Sequence, residues 1–186
     1  RDRSMSNAPT ISQTQEDYSL KSYWSLFLVQ LQGAFSDNLF KFLVVFTSIN
    51  VAGIDDSQRD FRLFLIAAVF SLPFILFSMT SGCLADRFSK AKVITWTKRA
   101  EIMIMCIGLL ALKTLNFYVM LGVIFLMSVQ SAVFGPAKYS SLPEILPNHK
   151  LSWGNGIFSL GTFFGIIAGG TAAGFLSNSL GQERVW

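Results

Sequence analysis

The first long apolar stretch of the sequence carries a dense set of polar side chains. Gln30, Asp37 and Lys41 are spaced by seven and four residues, which places them on one face of a helix, and Asn38 flanks that face. Asp37 precedes Lys41 by four residues, the order that favours an ion pair along a helix. Two interpretations stay open: an ion pair that lets the helix insert and pack, or a polar substrate or gating site that lines a central cavity.

A second charged set lies in the third apolar stretch. Lys98, Arg99 and Glu101 occupy its first half, and Glu101 follows Lys98 by three residues. The long stems of Lys98 and Arg99 let their charges reach the membrane surface, whereas Glu101 lies deeper. Structural pairing within the group and a role in gating or headgroup binding both fit this spacing.

The composition explains why these charges matter. The 186-residue chain is 52% hydrophobic and only 14% charged, whereas a soluble domain carries about 25% charged residues. The chain is therefore neither disordered nor an ordinary soluble globule. Its long apolar runs predict a polytopic membrane protein. A charge at the centre of a membrane helix costs about 2.5–3.5 kcal/mol, so such charges mark interior faces, pairings or pathways.

The sequence gives little support for nucleic-acid binding, disulfide bonds, metal binding or catalysis. The net charge of +4 comes from basic residues that mostly lie between apolar runs, so we expect no nucleic-acid partner. Cys83 and Cys106 lie in or beside apolar segments and give no disulfide framework. His149 is the only histidine, and we expect no metal and no cofactor. The sequence has no nucleophile–base constellation, so we expect no enzymatic activity in this segment.

Five membrane-spanning helices are predicted, because about 20 apolar residues cross a bilayer. They cover about 23–50, 61–84, 93–112, 117–136 and 153–176. We expect a cytoplasmic N-terminal segment over 1–22, a transmembrane half-bundle over 23–180 and a truncated loop over 181–186. An odd number of helices indicates an incomplete bundle, so we expect further C-terminal helices of the same chain, or a second copy, as a partner.

Basic residues predict the orientation, because cytoplasmic loops are enriched in Lys and Arg. The side that carries more of them also carries the N-terminus, which is therefore predicted to be cytoplasmic. That side has Arg1, Arg3, Lys21, Arg87, Lys90, Lys92, Lys138 and Lys150, and the other has Arg59, Arg62, Lys113 and Arg184.

Glycines recur at a regular interval in the fifth predicted helix. Gly161, Gly165 and Gly169 are four residues apart. Small residues at this interval let two membrane helices approach closely. We therefore predict a helix-packing face, and a sliding or rocking interface is the more specific form of that prediction.

A recognisable motif follows the second predicted helix, where residues 82–92 read GCLADRFSKAK. It resembles the Gly-x-Leu-Ala-Asp-Arg-x-x-(Arg/Lys)-(Arg/Lys) signature of the major facilitator superfamily, which lies between the second and third helices on the cytoplasmic side. Ala91 departs from the family pattern, which often has adjacent basic residues. The resemblance implies that Gly82, Asp86, Arg87 and Lys90 stabilise one conformational state.

Two further stretches resemble the bacterial lysophospholipid transporters of that superfamily. Residues 34–41 read AFSDNLFK, and residues 134–147 read FGPAKYSSLPEILP. The resemblance covers most of residues 24–175. It implies the N-terminal half of a major facilitator fold, alternating access, and movement of lysophospholipid to the inner leaflet of the bacterial inner membrane. The implied partners are membrane lipids and an acyltransferase, sometimes fused on the same chain.

On this resemblance, Gln30, Asp37, Asn38 and Lys41 meet the lipid headgroup. A transporter of another solute, such as a drug or a metabolite, is the alternative, and the membrane portion of a fused acyltransferase is a third. Drug–proton antiporters of the superfamily often carry an Arg three residues before a Gln in the fourth helix. Met127 occupies that position before Gln130 here, which weakens the drug–proton antiporter interpretation.

Overall fold

The computed structural model describes residues 11–49 and 55–182, and every regular element within them is helical. The elements in chain order are α1 (Ile11–Ile49), α2 (Asp56–Arg87), α3 (Lys90–Thr114), α4 (Phe117–Ile145), a 3-10 turn (Asn148–Lys150) and α5 (Leu151–Gln182). The prediction of an all-α bundle of five helices is confirmed. Arg1, Arg3 and Arg184, on which the orientation prediction partly rests, lie outside the described residues.

The helices are longer than the predicted spans. α1 begins at Ile11, inside the predicted N-terminal segment 1–22, and α4 passes through Pro136, its predicted end, to reach Ile145. Unpaired backbone groups are costly in lipid, and membrane helices tolerate an internal proline, so the chain continues its helix past Pro136. This corrects the assignment of Lys138, which lies within α4 and not in a loop.

Three helical stretches of the described chain are long and apolar enough to cross a membrane. They are Asp56–Phe77, Phe117–Ile145 and Asn148–Ser179. α1 and α3 are not among them, and these two helices carry the charged sets singled out above. Large apolar side chains such as Phe64, Phe163 and Ile167 cover the outside of the bundle. An apolar exterior around a polar interior is what a bilayer requires.

α1 lies at the centre of the packing. Its most extensive contact is with α5, and it also packs against α4 and α2, while α4 in turn packs on α2 and α3. Buried Val44, Ile66 and Ile124 belong to an apolar core to which α1, α2, α3 and α4 all contribute. Near the start of the bundle, the fully buried Tyr23 donates a hydrogen bond of 3.0 Å to the carbonyl oxygen of Gly154. Both faces of α1 are therefore fixed by neighbours.

A two-residue connection joins α3 to α4. Leu115 adopts a left-handed backbone conformation with φ of 54°. The side-chain oxygen of Asn116 accepts hydrogen bonds from the amides of Tyr118 and Val119 and caps the start of α4. This short turn lays α3 and α4 side by side, so that residues midway along the two helices face each other.

Candidate functional site

A cavity of about 530 Å³ lies between α1, α3, α4 and α5, and aromatic side chains of α2 form part of its wall. Its volume and its mixture of apolar surface with a few polar groups are typical of a small-molecule site. The charged side chains in its lining are Asp37, Lys98, Glu101 and Lys138.

Glu101 is the centre of a hydrogen-bond network that joins three helices. Its side chain is buried, with 3% of the residue surface exposed. Oε1 accepts hydrogen bonds from Gln32 Nε2 at 3.0 Å and Ser36 Oγ at 2.8 Å. Oε2 accepts from Lys98 Nζ at 2.6 Å and Gln130 Nε2 at 3.3 Å. Four donors around one carboxylate offset the cost of burying its charge.

Gly33 makes room for this network. A Cβ atom at Gly33 would lie 2.5 Å from Lys98 Nζ and 3.7 Å from Glu101 Oε2. The absence of a side chain therefore lets the Lys98–Glu101 ion pair lie directly against α1. Pairing was one of the two interpretations left open for this group, and it is the arrangement observed for these two residues. Arg99 is exposed and is not part of the cavity lining.

Asp37 lies one turn beyond Gly33 on α1 and lines the cavity. Its Oδ2 atom accepts a short hydrogen bond from the hydroxyl of Ser131 in α4. Its Oδ1 atom is buried and has no hydrogen-bond partner among the described residues. A buried carboxylate oxygen without a partner is costly, and it is a position where a ligand could donate a hydrogen bond.

Lys41 bonds to its neighbour Asn38 and not to Asp37. Its Nζ atom donates to Asn38 Oδ1 at 2.9 Å, and within the described chain no ion pair joins it to Asp37. Gln30, whose Nε2 atom donates to Thr162 Oγ1 at 2.8 Å, lines the cavity together with Asp37 and Asn38. Of the four α1 residues predicted to bind the lipid headgroup, three thus line the cavity. The fourth, Lys41, donates a hydrogen bond to one of these three, Asn38.

Lys138 lines the cavity, although the sequence predicted that it lies in a loop. It is 5% exposed, and its Nζ atom lies 4.2 Å from the ring centre of Tyr139 and 5.7 Å from that of Phe134. Over the described residues, no carboxylate lies within ion-pairing distance of it. Ser131, Phe134 and Lys138 are spaced by three and four, which is one helix face. That spacing is the signal in the sequence that points to Lys138.

The model of the Major Facilitator Superfamily matches residues 15–186. The chain belongs to this superfamily. The predicted resemblance to the superfamily is therefore confirmed. No solved structure matches the chain.

Curated relatives add a narrower similarity. The chain is 27% identical over 161 residues to the lysophospholipid transporter LplT of Salmonella arizonae, covering 85% of this chain and 37% of the relative. It is 27% identical over 152 residues to that of Photorhabdus laumondii, covering 80% and 35%. It is 29% identical over 162 residues to that of Pectobacterium carotovorum, covering 85% and 36%. The chain thus spans little more than a third of the length of these relatives.

The described residues of the superfamily motif lie outside the cavity lining, and Lys90 among them contacts the end of α4. Lys90, which begins α3, donates from Nζ to Glu144 Oε1 at 2.6 Å and to the carbonyl oxygen of Ser140 at 2.9 Å. The Glu144 side chain is 64% exposed, so the pair lies at the surface. This contact ties the start of α3 to the end of α4.

Gly82 and Arg87 are the other predicted motif residues whose surroundings the structure describes. A Cβ atom at Gly82 would meet nothing within 4 Å, and Arg87 is exposed. The side chain of Asp86 lies outside the described residues. A role in conformational control stays a prediction for Gly82, Asp86, Arg87 and Lys90 alike.

The glycines at four-residue intervals lie where α5 meets α1. A Cβ atom at Gly169 would lie 2.5 Å from the carbonyl oxygen of Phe35, and one at Gly165 would lie 3.0 Å from that of Leu31. At Gly161 the nearest atoms belong to a side chain of α1. The two helix backbones are thus in direct contact, as small residues at this interval permit.

Proposed function

We propose that this chain forms most of the N-terminal half-bundle of a transporter that moves lysophospholipid to the inner leaflet of the bacterial inner membrane by alternating access. The observation that carries the proposal is a pair of cavity groups: the Lys138 ammonium, which has no carboxylate partner among the described residues, and Asp37 Oδ1, which has no hydrogen-bond partner among them. The similarity to lysophospholipid transporters over most of the chain supports it.

A lysophospholipid headgroup complements these two groups. The Lys138 ammonium lies among aromatic rings, where weak screening strengthens its attraction for an anion. The phosphodiester of the lipid supplies that anion. Most lysophospholipid headgroups also carry an ammonium or a hydroxyl, either of which can donate a hydrogen bond to Asp37 Oδ1. A lysophospholipid therefore satisfies both groups at once.

The apolar part of the wall suits the single acyl chain. Phe70 and Phe74 of α2 line the cavity, and Phe74 is also partly exposed at the surface of the bundle. A wall that continues from the cavity to the lipid-facing surface lets the acyl chain remain in apolar surroundings while the headgroup binds inside. A water-soluble metabolite has no need of such a wall.

The proposal includes the orientation and the partners. We place the N-terminus in the cytoplasm and expect helices beyond this segment, in the same chain or a second copy, to complete the transport path. The delivered lysophospholipid is a substrate for reacylation, so an acyltransferase, fused or separate, is the partner we propose. Uptake of a water-soluble solute in place of lysophospholipid would support the alternative transporter class.

Uptake of labelled lysophosphatidylethanolamine tests the proposal. The native full-length polypeptide is assayed in membrane vesicles, with Asp37→Ala and Lys138→Met as site variants and Lys113→Met, an exposed lysine at the end of α3, as the control. We expect uptake to fall about tenfold or more in the site variants, because each removes a headgroup partner, and to remain unchanged in Lys113→Met. Removal of an unpaired buried charge does not destabilise the fold, so Lys138→Met is expected to stay folded.

Two results would contradict the proposal. Absence of lysophospholipid uptake by the unaltered protein would reject the transported substrate. Normal uptake by both Asp37→Ala and Lys138→Met would reject the site. Lys41→Ala is a weaker test of the same site, because Lys41 acts on the cavity through its hydrogen bond to Asn38.

A further inference from the structure

We infer that the cavity selects phosphodiester headgroups, with one negative charge on phosphate, over phosphomonoester headgroups, and that Glu101 sets this preference. A phosphomonoester carries about −1.5 to −2 at neutral pH. The inference rests on the proposed function and names the class of lipid that the same site accepts.

Two lysines of the cavity lie against one aromatic ring. Lys98 Nζ is 4.8 Å from the ring centre of Phe134, and Lys138 Nζ is 5.7 Å from the same centre. Both lysines line the cavity. A phosphate bound beside Phe134 would therefore be within reach of two ammonium groups if both were free, and two cations suit a doubly charged phosphate.

Glu101 neutralises one of these two cations, the ammonium of Lys98. Its Oε2 atom lies 2.6 Å from Lys98 Nζ, and this is the hydrogen bond that Lys98 makes within the described chain. Gln32, Ser36 and Gln130 also donate to the carboxylate, so Glu101 is held in place from α1 and α4 as well as from its own helix. Lys98 is thus neutralised by Glu101, and Lys138 is the lysine of the described cavity lining that has no carboxylate partner.

Within the described lining, Lys138 is the one lysine available to a bound anion, so a second negative charge finds no further cation there. The other lysine of the lining, Lys98, is paired with Glu101. Lys41 is occupied by Asn38 and is not part of the lining. A second phosphate charge would be buried without a partner and close to two carboxylates, which is unfavourable on both counts. A phosphodiester adds only one charge, and Lys138 accommodates it.

The unaltered full-length protein provides the first test. Initial uptake rates of lysophosphatidylglycerol and lysophosphatidic acid with the same acyl chain are compared in vesicles at pH 7.5. The two lipids differ in headgroup charge, and neither carries an amine. We expect the phosphodiester lipid to be taken up at least about tenfold faster, because the second charge of the monoester finds no cation in the cavity. Equal rates would overturn the inference without recourse to any variant.

A charge-balanced pair of variants provides the second test. Glu101→Gln keeps the size of the side chain and frees the Lys98 ammonium, so we expect the monoester-to-diester rate ratio to rise about tenfold. Adding Lys98→Gln removes the freed cation, and we expect the double variant to return to the original ratio. The ratio compares two lipids on one preparation, so a purely structural loss of active protein would not change it.

Each remaining outcome is decisive. An unchanged ratio in a Glu101→Gln protein that still transports the phosphodiester lipid rejects the inference and leaves the proposed function standing. Monoester uptake gained by the double variant also rejects it, because that variant has no freed lysine. If Glu101→Gln does not fold, the rates of the unaltered protein and of the double variant decide. Absence of uptake of any lysophospholipid by the unaltered protein rejects the proposed function itself.

Discussion

Two faces of α1 are built in opposite ways. Towards α5, the contact is made by glycines, and a Cβ atom at Gly169 would meet backbone atoms of α1. Towards α3 and α4, the contact is made by long polar side chains that converge on Glu101. Among the described residues, the closest contacts of the first face involve no charged group, whereas the second face meets the Lys98–Glu101 ion pair, whose carboxylate is buried.

This difference shows how one helix can both pack against a neighbouring helix and bind a ligand. Backbone contact through glycine depends on shape alone and needs no polar group to be satisfied. A charged network is stable in lipid only while every member keeps its partner. The glycine face is therefore suited to holding α1 in place, and the polar face is suited to receiving a charged ligand. Three substitutions test this division.

The largest expected effect is at the charged face. Glu101→Ala leaves the Lys98 ammonium, whose side chain is only 17% exposed, without its anion, which is expected to lower the free energy of unfolding by about 3–5 kcal/mol. Reversible unfolding in mixed micelles measures it. Glu144→Ala is the matched control, because it removes an ion pair of the same length, 2.6 Å, from an exposed position, where a loss of at most about 1 kcal/mol is expected. Equal losses would show that burial does not distinguish the two pairs.

An intermediate effect is expected at the glycine face. Gly169→Ala places a Cβ atom against the backbone of α1, which cannot shift locally, so the free energy of unfolding is expected to fall by about 1–3 kcal/mol. Gly156→Ala in the same helix is the control, because a Cβ atom there meets nothing within 4 Å. It is expected to be neutral or slightly stabilising, since alanine is the better helix former. A harmless Gly169→Ala would show that α5 is loosely packed.

The smallest effect is expected at Gly33, on the polar face of α1. The nearest atom to an added Cβ is again 2.5 Å away, but it is the terminal nitrogen of Lys98. A flexible side chain can move where a backbone cannot, so Gly33→Ala is expected to change the free energy of unfolding by no more than about 1 kcal/mol. The same unfolding measurement compares it with Gly169→Ala. A loss as large as at Gly169 would contradict the division between a rigid and an adaptable face.

The helices and part of the cavity could be predicted from the sequence because the signals are local. Apolar runs broken by charge indicate membrane helices, and the spacing of Gln30 and Asp37 places them on one face. The three-residue spacing of Lys98 and Glu101 likewise allows their ion pair. Each of these inferences needs only the period of a helix and the cost of a charge in lipid.

The remaining features depend on contacts between distant parts of the chain. Asp37 is four residues from Lys41, yet its hydroxyl partner is Ser131, 94 residues away, in another helix. The position of Lys138 inside α4 could not be predicted for a different reason. Proline usually ends a helix in a soluble protein, whereas a membrane helix tolerates it, so Pro136 does not end α4. Local spacing therefore predicts which residues share a face and does not predict which partner each one finds.

The glycine contact between α1 and α5 has a mechanical consequence. Sliding of one helix along the other would push the carbonyl groups of Phe35 and Leu31 against the facing backbone, because no side chain between them can yield. We therefore expect α1 and α5 to move together as one rigid unit. A displacement of α5 is thus expected to displace Asp37 as well, which lines the cavity on another face of α1.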